Sequence, residues 1–175
     1  MTHNRVLITG STGLAAGVFR AFDADHTVTV VSRSNGYNIN NVAEWANQFL
    51  DYEILINCAY SSWSQVQVLE TFCQLWDTDT KTIVNIGSMV TDYSRTETDR
   101  DHEYFPYRLH KRALQDAFSR LVKTSNCNLK LINPGMIDTS MVSHLSGNKM
   151  TVDQVAKHVR MLVDNKEIKR LDLWQ

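Results

Sequence analysis

The sequence predicts an α/β fold, a doubly wound domain whose mainly parallel sheet is covered by helices on both faces. Three observations predict it. Short apolar runs rich in branched residues recur along the chain, as in strands buried on both faces. Stretches of ten or more residues with apolar side chains at helical spacing separate them. A glycine turn, Thr9-Gly10-Ser11-Thr12-Gly13, joins the first such run to the first helical stretch.

Taken in order, Arg5 to Thr9 is the first strand, stopped by Gly10, and Leu14 to Phe22 the first helix, with Leu14, Val18, Phe19 and Phe22 on one side. His26 to Val31 is the second strand and ends at Ser32-Arg33-Ser34-Asn35-Gly36. Tyr37-Asn38-Ile39 is read as a short third strand. Asn41 is then expected to cap a helix through Val42, Trp45, Phe49 and Leu50. Glu53 to Cys58 is the fourth strand, Gln65 to Trp76 a helix, and Lys81 to Gly87 the fifth strand. Thr91 to Tyr104 is polar and charged and reads as the one long loop, a kind of segment that usually carries function. Tyr93, Arg95 and His102 stand in it, read as a solvated face. Tyr107 to Lys123 is an amphipathic helix and Asn128 to Ile132 the sixth strand. Val152 to Val163 is a helix capped by Thr151, and Ile168 to Leu173 the closing strand. A chain of 175 residues without repeat or linker is expected to form one domain, 1–175.

Composition narrows the functional class. A net charge of −1 without a basic run gives nothing to attract nucleic acid or an anionic membrane. The 3 cysteines, Cys58, Cys73 and Cys127, are odd in number and lie in apolar segments, which suits free thiols in a reducing compartment rather than disulfides or a metal site. A strand begins within the first few residues, and no apolar run approaches membrane-spanning length, so a cytoplasmic protein is expected.

The glycine turn has the chemistry of a phosphate cradle. One small residue allows the tight turn, a second lets backbone N–H groups approach a pyrophosphate, and a third lets helix pack on strand. Gly10 and Gly13 fill the first two places, and Ala16 the third with Gly17 beside it; Ser11 and Thr12 add hydroxyl donors. This is a Rossmann-type arrangement for a dinucleotide. At the end of the second strand an acidic residue would accept from a ribose 2′-hydroxyl, whereas an arginine pairs with a 2′-phosphate. Ser32-Arg33-Ser34 offers a guanidinium and flanking hydroxyls. NADP(H) is therefore favoured over NAD(H).

Further along, Ser88 ends the fifth strand, and Tyr107 and Lys111 stand four apart on the next helix, hence on one face. Asn133-Pro134-Gly135 follows the sixth strand. In this order the segments resemble the short-chain dehydrogenase/reductase family over nearly the whole chain, as a small atypical member. Thr9-Gly10-Ser11-Thr12-Gly13 looks like its nucleotide turn, with the G-x-x-G spacing of its extended or atypical branches. Asn57-Cys58-Ala59 resembles a degraded Asn-Asn-Ala-Gly, and Asn38 falls where many members carry an Asp near the adenine. Pro134-Gly135 followed by Thr139 resembles the loop that holds the nicotinamide. The resemblance thus assigns cofactor contacts to Gly10, Ser11, Thr12, Gly13, Leu14, Ser32, Arg33, Asn38, Asn57, Cys58 and Ala59, and again to Pro134, Gly135, Met136, Ile137 and Thr139. It assigns catalysis to Ser88, Tyr107 and Lys111, with Tyr107 and Lys111 also touching the cofactor. The chain departs from the family in being short, in a lid reduced to about Ser140 to Met150, and in offering Gln65 or Gln67 where the family has a helix Asn.

The activity so implied is reduction of a small carbonyl compound. Tyr107 supplies the proton, Lys111 and a positive nicotinamide lower its pKa, and Ser88 donates to the carbonyl oxygen. His110, inside the Tyr/Lys motif, has no assigned role, and Met136, Ile137, Met141 and Val142 form an apolar cluster shared by core and substrate wall. Two other readings stand beside this one: a non-catalytic NADP(H)-binding sensor or regulator, and a nucleotide-sugar epimerase or dehydratase. Val68, Leu69, Phe72 and Trp76 on one helix, with Leu114, Phe118 and Leu121 on the next, suggest pairing into a homodimer or homotetramer.

Overall fold

The structure, a computed structural model, describes residues 4–92 and 99–174. It is a six-stranded sheet in the order β2-β1-β3-β4-β5-β6. Its strands are β1 (Arg5–Thr9), β2 (Thr27–Val31), β3 (Ile54–Asn57), β4 (Thr82–Ile86), β5 (Asn128–Pro134) and β6 (Arg170–Leu173). All five pairings are parallel, with registers such as Leu7↔Thr29, Leu7↔Leu55, Ile56↔Val84, Asn85↔Leu131 and Ile132↔Leu171. The helices are α1 (Leu14–Phe22), α2 (Val42–Trp45), α3 (Ser64–Trp76), α4 (Asp99–Leu121) and α5 (Val152–Asp164).

Successive strand residues point to opposite faces, and the core divides accordingly. Leu7, Leu55, Ile83, Leu129 and Leu131 meet α2, α3 and α4 on one face. Val6, Ile8, Ile54, Ile56, Val84, Ile86 and Ile132 meet α1 and α5 on the other. Each buried branched side chain contributes about 1.5–3 kcal/mol of transfer free energy, which is why the strands read as continuous apolar runs. α1 and α5 approach closely because Gly17 is bare: a methyl group there would collide with the Val152 side chain. The third small residue was expected to let helix pack on strand; at Gly17 the close neighbour is instead another helix, α5. Thr151 caps α5 as expected, its hydroxyl accepting from the Gln154 N–H at 3.2 Å while the Gln154 carboxamide accepts from the Thr151 N–H at 2.8 Å.

Four expectations need correction. Tyr37-Asn38-Ile39 is not a strand. Gly36, at φ 92°, turns the chain, and the Asn38 side chain then accepts from Asn40 N to start a 3₁₀ turn at Ile39–Asn41. The sheet thus has six strands where the sequence suggested seven. Asn41 caps nothing with its side chain, which donates to Glu44 at 3.3 Å instead, and α2 lasts one turn before a 3₁₀ segment at Ala46–Phe49. α4 begins at Asp99, not Tyr107, and carries Pro106 inside it. Proline inside a helix lacks the N–H for its own bond and crowds the carbonyl four residues earlier, which made Pro106 read as a boundary, yet the helix runs through it. Tyr93 and Arg95 of the expected loop, and the side chain of His102, lie outside the described residues.

The fourth concerns which residues could face a partner copy, and leaves the expected pairing itself untouched. Val68, Leu69, Phe72, Trp76, Leu114 and Phe118 belong to the protein's own core, covering the sheet. The exposed apolar residues of α4 are Phe105 and Leu109. No described helix is long and apolar enough to cross a membrane.

Candidate active site

The order of the sheet places a crevice. β1 is flanked by β2 on one side and β3 on the other, so the crossovers leave it in opposite directions, and open α/β sheets bind ligands outside the strand ends at such a point. The turn after β1 lies there. Gly10 has φ 93° and Gly13 φ 56°, conformations that favour glycine. A methyl group on Gly10 would stand 3.3 Å from the Ala59 Cβ, and one on Gly13 would be 3.5 Å from Thr139 Cγ2. The two glycines, Ala59 and Thr139, from three segments of the sequence, therefore enclose one cradle. Thr9 fastens it: its Oγ1 accepts from the Cys58 N–H at 2.9 Å and the Ala59 N–H at 3.0 Å. Leu14 begins α1 with its side chain buried.

Beside the cradle, Ser32 and Arg33 follow β2. The Asn35 carboxamide accepts from the Ser32 N–H and donates to the Val30 carbonyl, at 2.8 and 2.7 Å, which ties this turn to the strand and leaves Arg33 exposed. Asn38 caps its own turn, and its carbonyl accepts from the Trp45 indole at 2.9 Å.

A belt of buried carboxamides underlies the carboxyl edge of the sheet. Asn57 ends β3, Asn85 lies near the end of β4 and Asn133 near the end of β5, all with no exposed surface. Asn57 donates to the Asn85 side chain at 2.9 Å and to the Gln65 carbonyl at 2.8 Å; Asn85 donates to the Lys130 carbonyl at 3.2 Å. Asn133 donates to Asp172 at 2.7 Å and accepts from Gln115 of α4 at 3.2 Å. Gln115 also reaches Thr91 at 2.6 Å, whose hydroxyl donates to the Ser88 carbonyl at 3.0 Å. Buried polar groups need partners, and here they clamp the turns that carry the site. The signal was present in the sequence: asparagine closing the apolar segments Ile54-Leu55-Ile56-Asn57, Thr82-Ile83-Val84-Asn85 and Leu131-Ile132-Asn133.

Ser88, Tyr107 and Lys111 meet above this belt. Gly87 precedes Ser88 because the Asn133 side chain fills the space a Cβ would need. The Ser88 hydroxyl accepts from the Val90 N–H at 3.2 Å. Lys111 is only 3% exposed, and its Nζ donates to Gln65 Oε1 and to the Ile86 carbonyl, both at 2.7 Å. Of the two candidates for the helix carboxamide it is thus Gln65 that engages the lysine. Gln65 in turn donates to the Asn57 and Ile86 carbonyls at 3.0 and 3.2 Å.

The electrostatics depart from expectation. Burial pushes the Tyr107 phenol up to about 12, against a smaller downward pull from its hydrogen bond with Ser88. Burial likewise lowers Lys111 to about 8, opposed by the nearby Cys58. In the protein alone desolvation outweighs the attraction expected to lower the Tyr107 pKa. Tyr107 is a protonated phenol at any ordinary pH.

The loop after β5 closes the far side. Pro134 is buried, and Gly135, Met136 and Ile137 are half-buried. A parallel bridge pairs Ile137 with Met150, and the Met150 N–H reaches the Met136 carbonyl at 2.8 Å, so the shortened lid is stapled at its base. Ile137 joins the core face of α1 and α5, whereas Met141 is exposed, so the apolar cluster expected there is split. The lid's His144 meets the Tyr104 hydroxyl at 2.6 Å.

Sequence reasoning missed Tyr60 and His110. The Tyr60 hydroxyl lies 2.8 Å from His110 Nδ1, and its ring meets the Tyr107 ring edge-to-face at 4.9 Å. His110 follows Tyr107 by three residues, so both point to the same side of α4.

No known family profile and no curated protein matches the chain. Solved structures do. A short chain dehydrogenase from Burkholderia cenocepacia J2315, in complex with NADP, superposes with a TM-score of 0.78 at 17% identity, covering 98% of this chain and 88% of that one. A small-chain dehydrogenase in complex with NADPH gives a TM-score of 0.76 at 14% identity over 98% of this chain and 97% of the other. The shortness expected to set this chain apart is thus shared by that protein. A 3-alpha-hydroxysteroid dehydrogenase from Pseudomonas sp. B-0831, complexed with NADH, gives 0.71 at 15% identity over 97% and 95% of the two chains. At these identities the likeness is one of architecture, and the chain has the fold of the short-chain dehydrogenases/reductases.

Proposed function

We propose that this protein is an NADP(H)-dependent oxidoreductase that reduces a small carbonyl compound. The observation that carries the reading is the convergence of Ser88, Tyr107 and Lys111 beside a glycine cradle at the switch point of the sheet. The cradle fits a dinucleotide: its backbone conformation excludes side chains at Gly10 and Gly13, the places where a pyrophosphate would approach. Gly10 to Gly13 would hold the phosphates, Arg33 with Ser32 the 2′-phosphate, and Thr139 with Pro134 to Ile137 the nicotinamide end. Lys111, with two of its three N–H groups already committed, retains one for the ribose. The bound cofactor supplies hydride.

The residues of the chain supply the rest. Tyr107 carries its proton up to about pH 12 and delivers it to the substrate oxygen as negative charge develops there. Ser88 donates a hydrogen bond to the same oxygen, a preorganised contact worth about 3 kcal/mol. Lys111 adds positive charge behind the phenol while protonated. A neutral, high-pKa tyrosine suits the reductive direction, since oxidation would ask the same group to accept a proton as phenolate.

A panel of aldehydes, ketones, quinones and pterins, each incubated with NADPH, tests the reading. Oxidation of NADPH by at least one is expected. Tight NADPH binding with no turnover on any of them would favour the sensor reading, and conversion of a nucleotide sugar without net NADPH consumption the epimerase reading.

A further inference from the structure

Lys111 is walled in by five groups. Gln65 from α3 and the Ile86 carbonyl from β4 accept its hydrogen bonds. The Tyr107 ring of α4 lies 5.5 Å from Nζ, the Tyr60 ring lies 5.6 Å away, and Cys58 stands at the end of β3. Gln65, Ile86 and Tyr107 belong to regular elements packed on or in the sheet, and Cys58 directly follows β3. Tyr60 sits in the connection after β3, where the motif that Asn57-Cys58-Ala59 resembles ends in glycine.

The connection is shaped to hold it. Ser62 has φ 50°, a left-handed conformation uncommon for a residue with a side chain. That turn brings three groups around His110: the Tyr60 hydroxyl at 2.8 Å from Nδ1, the Ser62 hydroxyl at 3.4 Å from Nε2, and the Trp63 ring edge-to-face with centroids 4.3 Å apart. Strained backbone persists where surrounding contacts over-determine it. Here those contacts anchor one phenol.

We propose that Tyr60 is a positioning residue of this site, held by His110, and that its ring forms with Tyr107 the aromatic wall that shields the Lys111 ammonium from water. The inference deepens the proposed function and rests on it only for its consequence in turnover. The two rings meet edge-to-face with centroids 4.9 Å apart and cover one side of the ammonium; their quadrupoles attract it, but the water they exclude is the larger effect and favours its neutral form. The other titratable groups facing it stay neutral over the range in question. Burial pushes Cys58 and Tyr107 each to about 12 and raises Tyr60. Enclosure therefore sets the depressed titration of Lys111, and Tyr60 is the part of the enclosure that substitution can remove without touching the sheet.

The test needs neither cofactor nor substrate. In protein carrying ¹³C-labelled lysine, the Lys111 midpoint is followed by NMR, with folding checked by thermal melts. Wild type is expected to titrate near pH 8. Tyr60→Gly admits water and moves the midpoint up by about one unit. Tyr60→Phe keeps the wall and stays within a few tenths of a unit of wild type. Should Tyr60→Gly not fold, Tyr60→Ala, which also removes the ring, is expected to move the midpoint in the same direction. An unchanged midpoint in Tyr60→Gly, or in Tyr60→Ala where that variant stands in, overturns the proposal, as does an equal shift in Tyr60→Phe. Where turnover exists, the alkaline limb of the rate profile follows the same shift. A midpoint that moves in a protein without turnover upholds the positioning role while removing the enzymatic reading.

Discussion

Two strand ends of this sheet are built on glycine for different reasons. After β1, Gly10 is required by conformation, because its φ of 93° lies where other residues are strained. After β4, Gly87 is required by space, because the buried Asn133 carboxamide already occupies the volume of a side chain. On the proposed function the first turn would present backbone to the cofactor, and it makes few side-chain bonds. The second presents a side chain, Ser88, and is bolted through Thr91, Gln115 and Asn133 to α4 and to β6. On that reading one turn would bind and the other would position. Substitutions at the first should therefore change affinity, and at the second should change stability and rate together.

Gly87→Ala breaks the comparison most strongly. The new methyl must displace the Asn133 side chain, which strains a packed site and strips Gln115 of a partner. A loss of about 2–3 kcal/mol is expected in denaturant unfolding, with reduced turnover from the displaced Ser88. Gly10→Ala is expected to lose less stability, about 1 kcal/mol, and to weaken NADPH binding measured by calorimetry. Equal stability losses at both glycines would erase the distinction between them.

The catalytic turn should also show a pH dependence that the phosphate turn lacks. Lys111 loses its proton near pH 8, while Tyr107 holds its own to about 12. The reductase rate is therefore expected to fall above pH 8, by up to about tenfold per unit, with NADPH phosphate contacts unaffected. The same group has a sign in stability. The unfolded lysine keeps its proton to 10.5 and the folded one releases it at about 8, so the unfolded state binds more protons between those values. Lys111 thus contributes stability present above pH 10.5 and lost as pH falls through 8. Urea melts of wild type and Lys111→Met across that window check the slope, which the variant should lack.

Arg33→Ala is expected to leave stability unchanged and act on cofactor choice alone. It removes one exposed charge-assisted contact, and should cost about tenfold in the preference for NADPH over NADH, roughly 1.4 kcal/mol. Equal dissociation constants for the two cofactors in wild type would reject the choice of cofactor.

The same contrast explains what the sequence made legible. The placement of Gly10, Gly13, Ser88, Tyr107 and Lys111 was readable because it follows from local geometry: a turn after a strand, a strand end, or two side chains one helical turn apart. The alternation of apolar runs and amphipathic stretches likewise carried the sheet and its two covered faces. What remained hidden depends on contacts distant in sequence. Tyr60 is 50 residues from His110, and Lys111 is 46 from Gln65. No periodicity reports such meetings. The misread strand at Tyr37 failed for a related reason: Tyr37 and Ile39 are apolar because they pack against the face of α2 and α3, not because they extend the sheet. The Tyr107 pKa followed suit, since burial is a property of the assembled site and the Tyr/Lys spacing reports only proximity.

Tyr107→Phe tests the account most directly. The ring still packs and the phosphates are held elsewhere, so the variant should melt close to wild type and bind NADPH with similar affinity. Its turnover, on any carbonyl compound the wild type reduces, should fall by about 10²-fold or more, because no other group delivers the proton. Full reductase activity in Tyr107→Phe would contradict the mechanism.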